Sequence, residues 1–514
     1  MTCETQKDYK IEIKNSILDN VHGFIGLTEV ENQIEKLPIF KRLQNISQLG
    51  LSHRIFPCAL HNRYIHSLGV MYIVDQMAIK LGCFTDNERQ LLRLAGMLHD
   101  IGHYPLSHDI EMVYKKLSNI THTVDSSKIF SSFKQNTLES INNLEKQDKL
   151  HDLRLSGHPE KSLHHENVGV LVLKSSNLIK EKIKKYYVDN NSFFDTIDNP
   201  VERIIDEIAA IITGNAQYKN SLFPKRFSIM VQLMHSEIDA DRIDYLLRDA
   251  TFTGASYGSF DLGMLVQTLE YTEYNDTPIV GVNLKGIGCA EQFLINRYLA
   301  YNQVINHKYT SIIGCIVQAI VSWLISDPST GYIYSNITQL IKTHDYDTNQ
   351  VYLHFTDSSL MSLINQQNDS NPAIPQEIRI LLRCLKQYQA FDLSSEDVVV
   401  DNKPANIAKV LRDSTIFQRM INCDDDNMTN IYQYREVILT SHESKTSFEK
   451  KLARSRKSND AKLLYRIDRL QEGAAVIEDR KDPYLLIDTK RSMLHKLQGV
   501  KYSILREYNF DRFK

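Results

Sequence analysis

The histidines of this sequence are clustered. Six of the 18 histidines fall between positions 53 and 108: His53, His61, His66, His99, His103 and His108. The densest stretch reads LLRLAGMLHDIGHYPLSH, an apolar run that ends in adjacent His99 and Asp100. His103 follows at the i, i+4 spacing that would share a helix face with His99. An aspartate at the end of a buried apolar helix is costly without a partner. A divalent cation supplies one. Imidazole nitrogen with carboxylate oxygen suits Mn, Fe, Zn or Ni. Adjacent residues cannot close a coordination shell, so further ligands must come from elsewhere. His66, in NRYIHSLGV, is one candidate, and Asp241, in SEIDADRIDYLLRDA, is another. In that second segment Asp239 and Asp241 interrupt a helix that otherwise reads as buried. Asp241, Tyr245 and Asp249 form a polar stripe at i, i+4, i+8 that demands polar company. Each piece alone has an ordinary reading as a hydrogen-bonded histidine or a helix ion pair. Their joint occurrence is what points to a metal site.

The elements that must position these groups are helical. Val70, Ile73, Val74, Met77 and Leu81 trace one helix face after His66. Leu91 to Leu98 is apolar on several faces, as in the centre of a bundle. Val201–Ile212, Phe227–Arg248 and Cys289–Ile325 also read as helices, while Thr277–Leu284 reads as a short strand. Residues 112–163 are rich in Ser, Asn, Lys and Asp and read as an insertion over a helical core. Beyond residue 390, Val398–Val400 and Tyr484–Asp488 suggest strands. The expected fold is mainly α: an all-helical core over 1–330 and a smaller α+β part over 331–514.

Composition narrows the function classes. The chain has 514 residues and a net charge of −3, so no global field collects nucleic acid. Residues 445–514 carry 18 Lys/Arg against 10 Asp/Glu; this basic region, with KKLARSRK at 450–457, is a candidate grip on phosphates or nucleic acid, although a solvated helix face is the commoner reading. The seven cysteines form no CxxC pair, which fits free thiols in a reducing compartment. The polar N-terminus is no signal peptide, and Ser311–Ile325 reads as a core helix, not a membrane span. The expectation is a cytoplasmic protein with no membrane partner.

NRYIHSLGV, GMLHDIGHYPLSH, HHEN and IDADRIDYLLRD together resemble the motifs of the HD-domain superfamily. The resemblance is closest to its deoxynucleoside triphosphate (dNTP) triphosphohydrolase branch, which includes dGTPases. It covers Gly23–Glu111, Leu163–Val168, Ile238–Asp249 and, more weakly, Phe293–Lys308. It implies one divalent metal (Mn, Fe, Mg, Zn or Ni) on His66, His99, Asp100 and Asp241. It implies cleavage of a dNTP to deoxynucleoside and inorganic triphosphate. By motif position His108 is the catalytic histidine, Glu111 orients it, and His103 and His165 contact phosphates. Arg63 and Arg242 pair with the triphosphate, and Arg297 and Lys308 touch phosphate or base. Gln48 and Leu49 lie against the sugar, with Tyr245 beneath it and Asp249 hydrogen-bonded to it. The resemblance further implies a homo-oligomer such as a tetramer, a nucleotide effector, and an antiviral role through dNTP depletion. Two departures stand out: the 112–163 insertion is longer than usual, and Ile305 replaces a family tyrosine that bears on ribose exclusion. Competing readings are another HD phosphohydrolase (phosphodiesterase or nucleotidase), a nuclease or nucleic-acid-binding protein, and a nucleotide-sensing module.

Overall fold

The structure is a computed structural model. It describes residues 9–118, 137–138, 141–142, 164–189, 191–216, 218–274, 277–326, 347, 350–387, 392–401, 404–422, 430–438, 475–477, 484–485 and 501–510. Most of the expected insertion and the basic 450–457 stretch lie outside these residues.

Two capped helices frame the core. α1 (Arg63–Leu81) starts where the Asn62 side chain accepts the Ile65 N–H and stops at Gly82, at φ 64°. α2 (Asp86–Leu98) starts with a reciprocal Thr85–Glu88 capping box. The predicted face of α1 is buried at Val70, Ile73, Val74 and Met77. α2 is buried all round, and its Arg93 is neutralised by Glu31 and Asp75 at 2.7 and 2.8 Å. The helix ends at Leu98, so His99 and His103 do not share a continuing helix. The chain turns out of it through a loop instead.

α3 (His108–Ser118), α4 (His165–Ser175), α5 (Pro200–Ile212), α6 (Phe227–His235) and α7 (Ala240–Thr253) surround this pair. The single helix expected over Phe227–Arg248 is two. Ser236 is extended, and the Asp239 side chain caps a new helix by accepting the Arg242 N–H at 2.8 Å. The long helix expected over Cys289–Ile325 is likewise divided. α8 (Ile287–Ala300) passes into a π turn at Tyr301–Ile305 before α9 (Lys308–Ser326) begins. α9 is long and apolar enough to cross a membrane, but 72% of its apolar window is buried inside the protein.

α1 and α7 approach closely because α1 has no side chain at Gly69. A Cβ there would lie 1.9 Å from Asp244 Oδ1 and 2.5 Å from Arg248 Nη2. Two hairpins accompany the helices: β1 (Asn15–Asp19) with β2 (Gly23–Leu27), and β3 (Leu269–Tyr274) with β4 (Thr277–Asn283), the latter at the expected strand. In the C-terminal part, α10 (Asp357–Gln366) and α11 (Gln376–Gln387) precede β5 (Asp392–Asp401) and β6 (Asn430–Ile438). β7 (Ala475–Ile477) joins β4 in parallel and pairs with β8 (Tyr484–Leu485). β9 (Lys501–Asn509) lies between β5 and β6, antiparallel to both. The fold is therefore mainly helical with small sheets. A second hydrophobic cluster packs Leu51, Tyr104 and Ile110 against α9, α11 and Tyr508, so the HD-loop region and the C-terminal part share a core.

Candidate metal centre and active site

α2 delivers His99 and Asp100 into the protein, 8% and 1% exposed. His99 Nδ1–H donates to the Gly96 carbonyl at 2.8 Å, which leaves Nε2 as the lone-pair atom. His66, fully buried on α1, donates from Nδ1 to Asp244 at 2.7 Å, which leaves its Nε2 in the same state. These tautomers follow from the hydrogen-bond network. The two Nε2 atoms are buried and without hydrogen-bond partners. His66 Nε2 lies 3.0 Å from Asp241 Oδ1 and 3.8 Å from Asp100 Oδ2. His99 Nε2 lies 3.3 Å from Asp100 Oδ1 and 3.8 Å from Asp241 Oδ1. Ligand atoms about 2.0–2.2 Å from one ion stand at about such separations from each other. The four residues fit a divalent cation.

The electrostatics agree. Burial disfavours a charge on His66, yet Asp241 and Asp244 overcome it and push its pKa up to about 9 when no cation is bound. A divalent ion bound by His66 would take the place of that proton. Burial also opposes ionisation of Asp100, but Arg63 and the surrounding histidines hold it well below the usual carboxylate range. Arg63 reaches Asp100 at 2.8 Å.

Beyond the cluster lies a row of imidazoles. His103 stacks on His165 at 4.3 Å and meets His108 edge-on at 5.0 Å. His103 Nδ1 accepts the Tyr104 N–H at 3.2 Å, so in the neutral ring Nε2 carries the proton. That Nε2 is buried and unpartnered, a donor suited to an anion. Burial and nearby Arg63 hold His103 well below the ordinary imidazole pKa, so it stays neutral. Glu111, 1% exposed, accepts from His108 Nδ1 at 2.7 Å and from both the ring and main-chain N–H of His165 at 3.0 Å. Burial raises the Glu111 pKa, but the His108 and His165 bonds outweigh it and keep the carboxylate ionised. The His108 side chain is 64% exposed. Its pKa lies below the ordinary value, because partial desolvation with the charges of Arg63 and His165 outweighs the Glu111 bond.

The remaining expected residues are distributed around this row. Arg63 also donates to Ser107 Oγ at 2.9 Å and to the Gln48 carbonyl at 3.3 Å. Gln48 is 6% exposed with Oε1 unpartnered, and neighbouring Leu49 packs on the main core. Asp249 accepts from His61 Nε2 at 2.8 Å. The Tyr245 hydroxyl is held protonated by burial, with Tyr301, Arg297 and Arg242 among the charges it senses. Arg242 lies 3.5 Å from Asp239 and 3.8 Å from Glu237, and Arg297 pairs with the same Glu237. Among the described contacts none joins Lys308 to the metal cluster; its ammonium lies over the Tyr309 ring. A cavity of about 130 Å³ opens between His99, His165, Asp239, Asp241 and Arg242.

One layer escaped the sequence reading. Asp244, fully buried, accepts from His66, from His22 Nε2 at 2.6 Å and from Arg248 Nε at 2.8 Å. Arg248 in turn reaches Asp19 at 2.8 Å. Outer carboxylates of this kind fix the tautomer of a metal-binding histidine and raise its basicity. The i, i+4 pair of Asp244 and Arg248 on a helix already read as buried was the available signal.

Comparison with known proteins places these residues in context. The HD domain family matches residues 63–151, which include His66, His99, Asp100, His103, His108 and Glu111. An uncharacterized protein of Methanocaldococcus jannaschii is 26% identical over 74% of this chain and 61% of that protein. The deoxynucleoside triphosphate triphosphohydrolase SAMHD1 of Gallus gallus is 24% identical over 70% of this chain and 54% of that protein. Its Homo sapiens counterpart is 24% identical over 60% and 44%. The chain thus spans between 44% and 61% of the length of these three relatives. A hypothetical protein of Aquifex aeolicus, known from its crystal structure, shares the fold at a TM-score of 0.60 and 20% identity, over 98% of this chain and 97% of that one. The chain carries an HD domain, with proteins named deoxynucleoside triphosphate triphosphohydrolases among its relatives.

Proposed function

We propose that this protein is a metal-dependent dNTP triphosphohydrolase. The observation that carries the reading is the adjacency of two motifs, with His165 Nε2 3.8 Å from Asp100 Oδ1. Two buried, unpartnered imidazole nitrogens converge on Asp100 and Asp241, and the His103, His165, His108–Glu111 row stands beside them. When bound, the cation would acidify a water and offset phosphate charge. The chain's own residues would do the rest. His103 Nε2–H and His165 would hold the phosphate next to the cleaved bond. His108, its Nδ1–H fixed on Glu111, carries its lone pair on Nε2; it would first take up a proton there, becoming an imidazolium, and then pass that proton to the departing 5′-oxygen. General acids of this kind contribute roughly 10²–10⁴-fold. Arg63, Arg242, Arg297 and Lys308 would balance the triphosphate, Arg being suited to bidentate contacts. Gln48, Leu49, Tyr245 and Asp249 would receive the sugar.

The cleft is smaller than the roughly 300–1,000 Å³ of ordinary ligand pockets. Arg242, which lines it, would have to shift from Asp239 and Glu237 to pair with a triphosphate. The test is incubation of the purified protein with each dNTP, alone and in mixtures, with Mn²⁺ or Mg²⁺, scored for inorganic triphosphate. His108→Ala should stop turnover while metal and nucleotide binding persist. Normal turnover in that variant would refute the proton-donor role. Release of monophosphate or of orthophosphate would point to another HD phosphohydrolase. The motif resemblance further implies an oligomer with a nucleotide effector; activity confined to dNTP mixtures would reveal the effector.

A further inference from the structure

The loop that presents His108 is strained and is held from the C-terminal part of the chain. Between α2 and α3 it passes through Leu106 at φ 52° and Ser107 at φ 54°, two consecutive non-glycine residues in the left-handed region. Such conformations persist only where the surroundings over-determine them. Asp357, the first residue of α10, supplies much of that determination. Its Oδ1 accepts the Leu106 N–H at 2.7 Å, and its Oδ2 accepts the Ser47 N–H at 2.8 Å. Ser107 Oγ–H closes the circuit by donating to the Ser47 carbonyl at 2.5 Å.

The other end of the loop is gripped by the same C-terminal segment. Arg42, 2% exposed, donates to the carbonyls of His103 at 2.6 Å, Ile101 at 3.5 Å and Phe355 at 3.2 Å. Its guanidinium lies 4.3 Å from the centre of the Tyr352 ring. Residues 352–357 therefore touch the His103 side of the loop through Arg42 and the His108 side through Asp357. Because Ser47 precedes Gln48 and Leu49, the same carboxylate also anchors the loop read as the sugar contact.

We propose that Asp357 is a positioning residue: it locks the strained Tyr104–Ser107 turn onto the Ser47 loop and so sets the place of His108. The inference rests on the reading of His108 as proton donor. A carboxylate is required chemically. Both partners are N–H donors on separate oxygens, and an amide would turn its own NH₂ toward one of them. Any rearrangement of residues 352–366 would then be transmitted to His108.

Hydrogen exchange, Mn²⁺ binding and turnover test this together in the full chain. In the unmodified protein the Ser47 and Leu106 amides should exchange as slowly as those of α1; exchange at open-loop rates would overturn the proposal. In Asp357→Asn and Asp357→Ala, peptides covering 45–49 and 101–108 should exchange at least about tenfold faster while α1 is unchanged. Mn²⁺ affinity should hold, KM should rise as the Gln48–Leu49 loop loosens, and kcat should fall by about 10²-fold, the scale of an ångström of misplacement. Unchanged exchange in those peptides, or an equal rise throughout the protein, would overturn it. If the unmodified protein releases no triphosphate, the functional reading fails, and the exchange pattern still decides the role of Asp357.

Discussion

Asp244 gives the sharpest prediction about the metal centre. Replacement by Asn preserves shape but leaves one acceptor oxygen where four donor contacts now converge: His66, His22 and two from Arg248. The bond at stake is the 2.7 Å contact that holds His66 with its lone pair on Nε2. A hydrogen bond to a buried charged group is worth about 1.5–3 kcal/mol. Each 1.4 kcal/mol is tenfold in affinity, so Asp244→Asn should weaken Mn²⁺ binding by about 10–100-fold. That range also matches what outer partners of metal-binding histidines contribute. Arg248 keeps Asp19 at 2.8 Å, which should let the variant fold. The assay is calorimetric titration of metal-stripped protein, with thermal melting in chelator to separate folding from binding. His22→Gln removes only one of the four contacts and should cost less than Asp244→Asn. A folded Asp244→Asn protein with Mn²⁺ affinity within twofold of the parent would refute the idea that Asp244 prepares His66.

The contrast between Asp100 and Asp244 shows what the sequence could reveal. Asp100 was legible because it ends an apolar run, and an ionised group in such a place needs a partner. His66 and Asp241 were legible for the same reason, as polar groups on helices patterned for burial. Asp244 sits on one of those helices but reads as half of an ordinary i, i+4 pair with Arg248. Its meaning depends on Gly69, whose missing side chain lets α7 close onto α1, and on a hairpin that returns Asp19 and His22 to the same spot. Neither is a local property. The helix breaks show a similar limit. The helical reading of Phe227–Arg248 passes over Ser236–Asp239, yet the Asp239 side chain competes for the backbone there and begins a new helix. Arg242 and Arg297 could be named as cations for a triphosphate, but not that Glu237 already lies against both. Asp357 lies 310 positions from Ser47, beyond any motif spacing.

Two further substitutions test the packing that carries this site. Gly69→Ala places a Cβ 1.9 Å from Asp244 Oδ1, an atom that cannot swing away because His22 also holds it. It should cost about 1–3 kcal/mol in urea unfolding, as overpacked cores do, and should weaken Mn²⁺ binding; unchanged values for both would show that α1 and α7 can separate freely. Asp109→Asn concerns pH. Asp109 is wedged against Gly50 and Gly314 and takes one hydrogen bond from Gln318 at 3.3 Å, and burial lifts its pKa to about 6. The folded pKa lies above the unfolded value of 3.8, so the folded protein binds this proton more tightly. Stability must therefore fall as pH rises from about 4 through 6, and the penalty is fully present above that window. Asn carries no charge to bury. Asp109→Asn should be neutral near pH 4 and stabilising at pH 7, by at most about 3 kcal/mol, the free energy that separates a carboxyl of pKa about 6 from one of 3.8. Melting temperatures of the two proteins at both pH values check this. A variant equally or less stable than the parent at pH 7 would mean that the Asp109 carboxylate is compensated where it lies, with Arg435 as the cation that must then supply the balance.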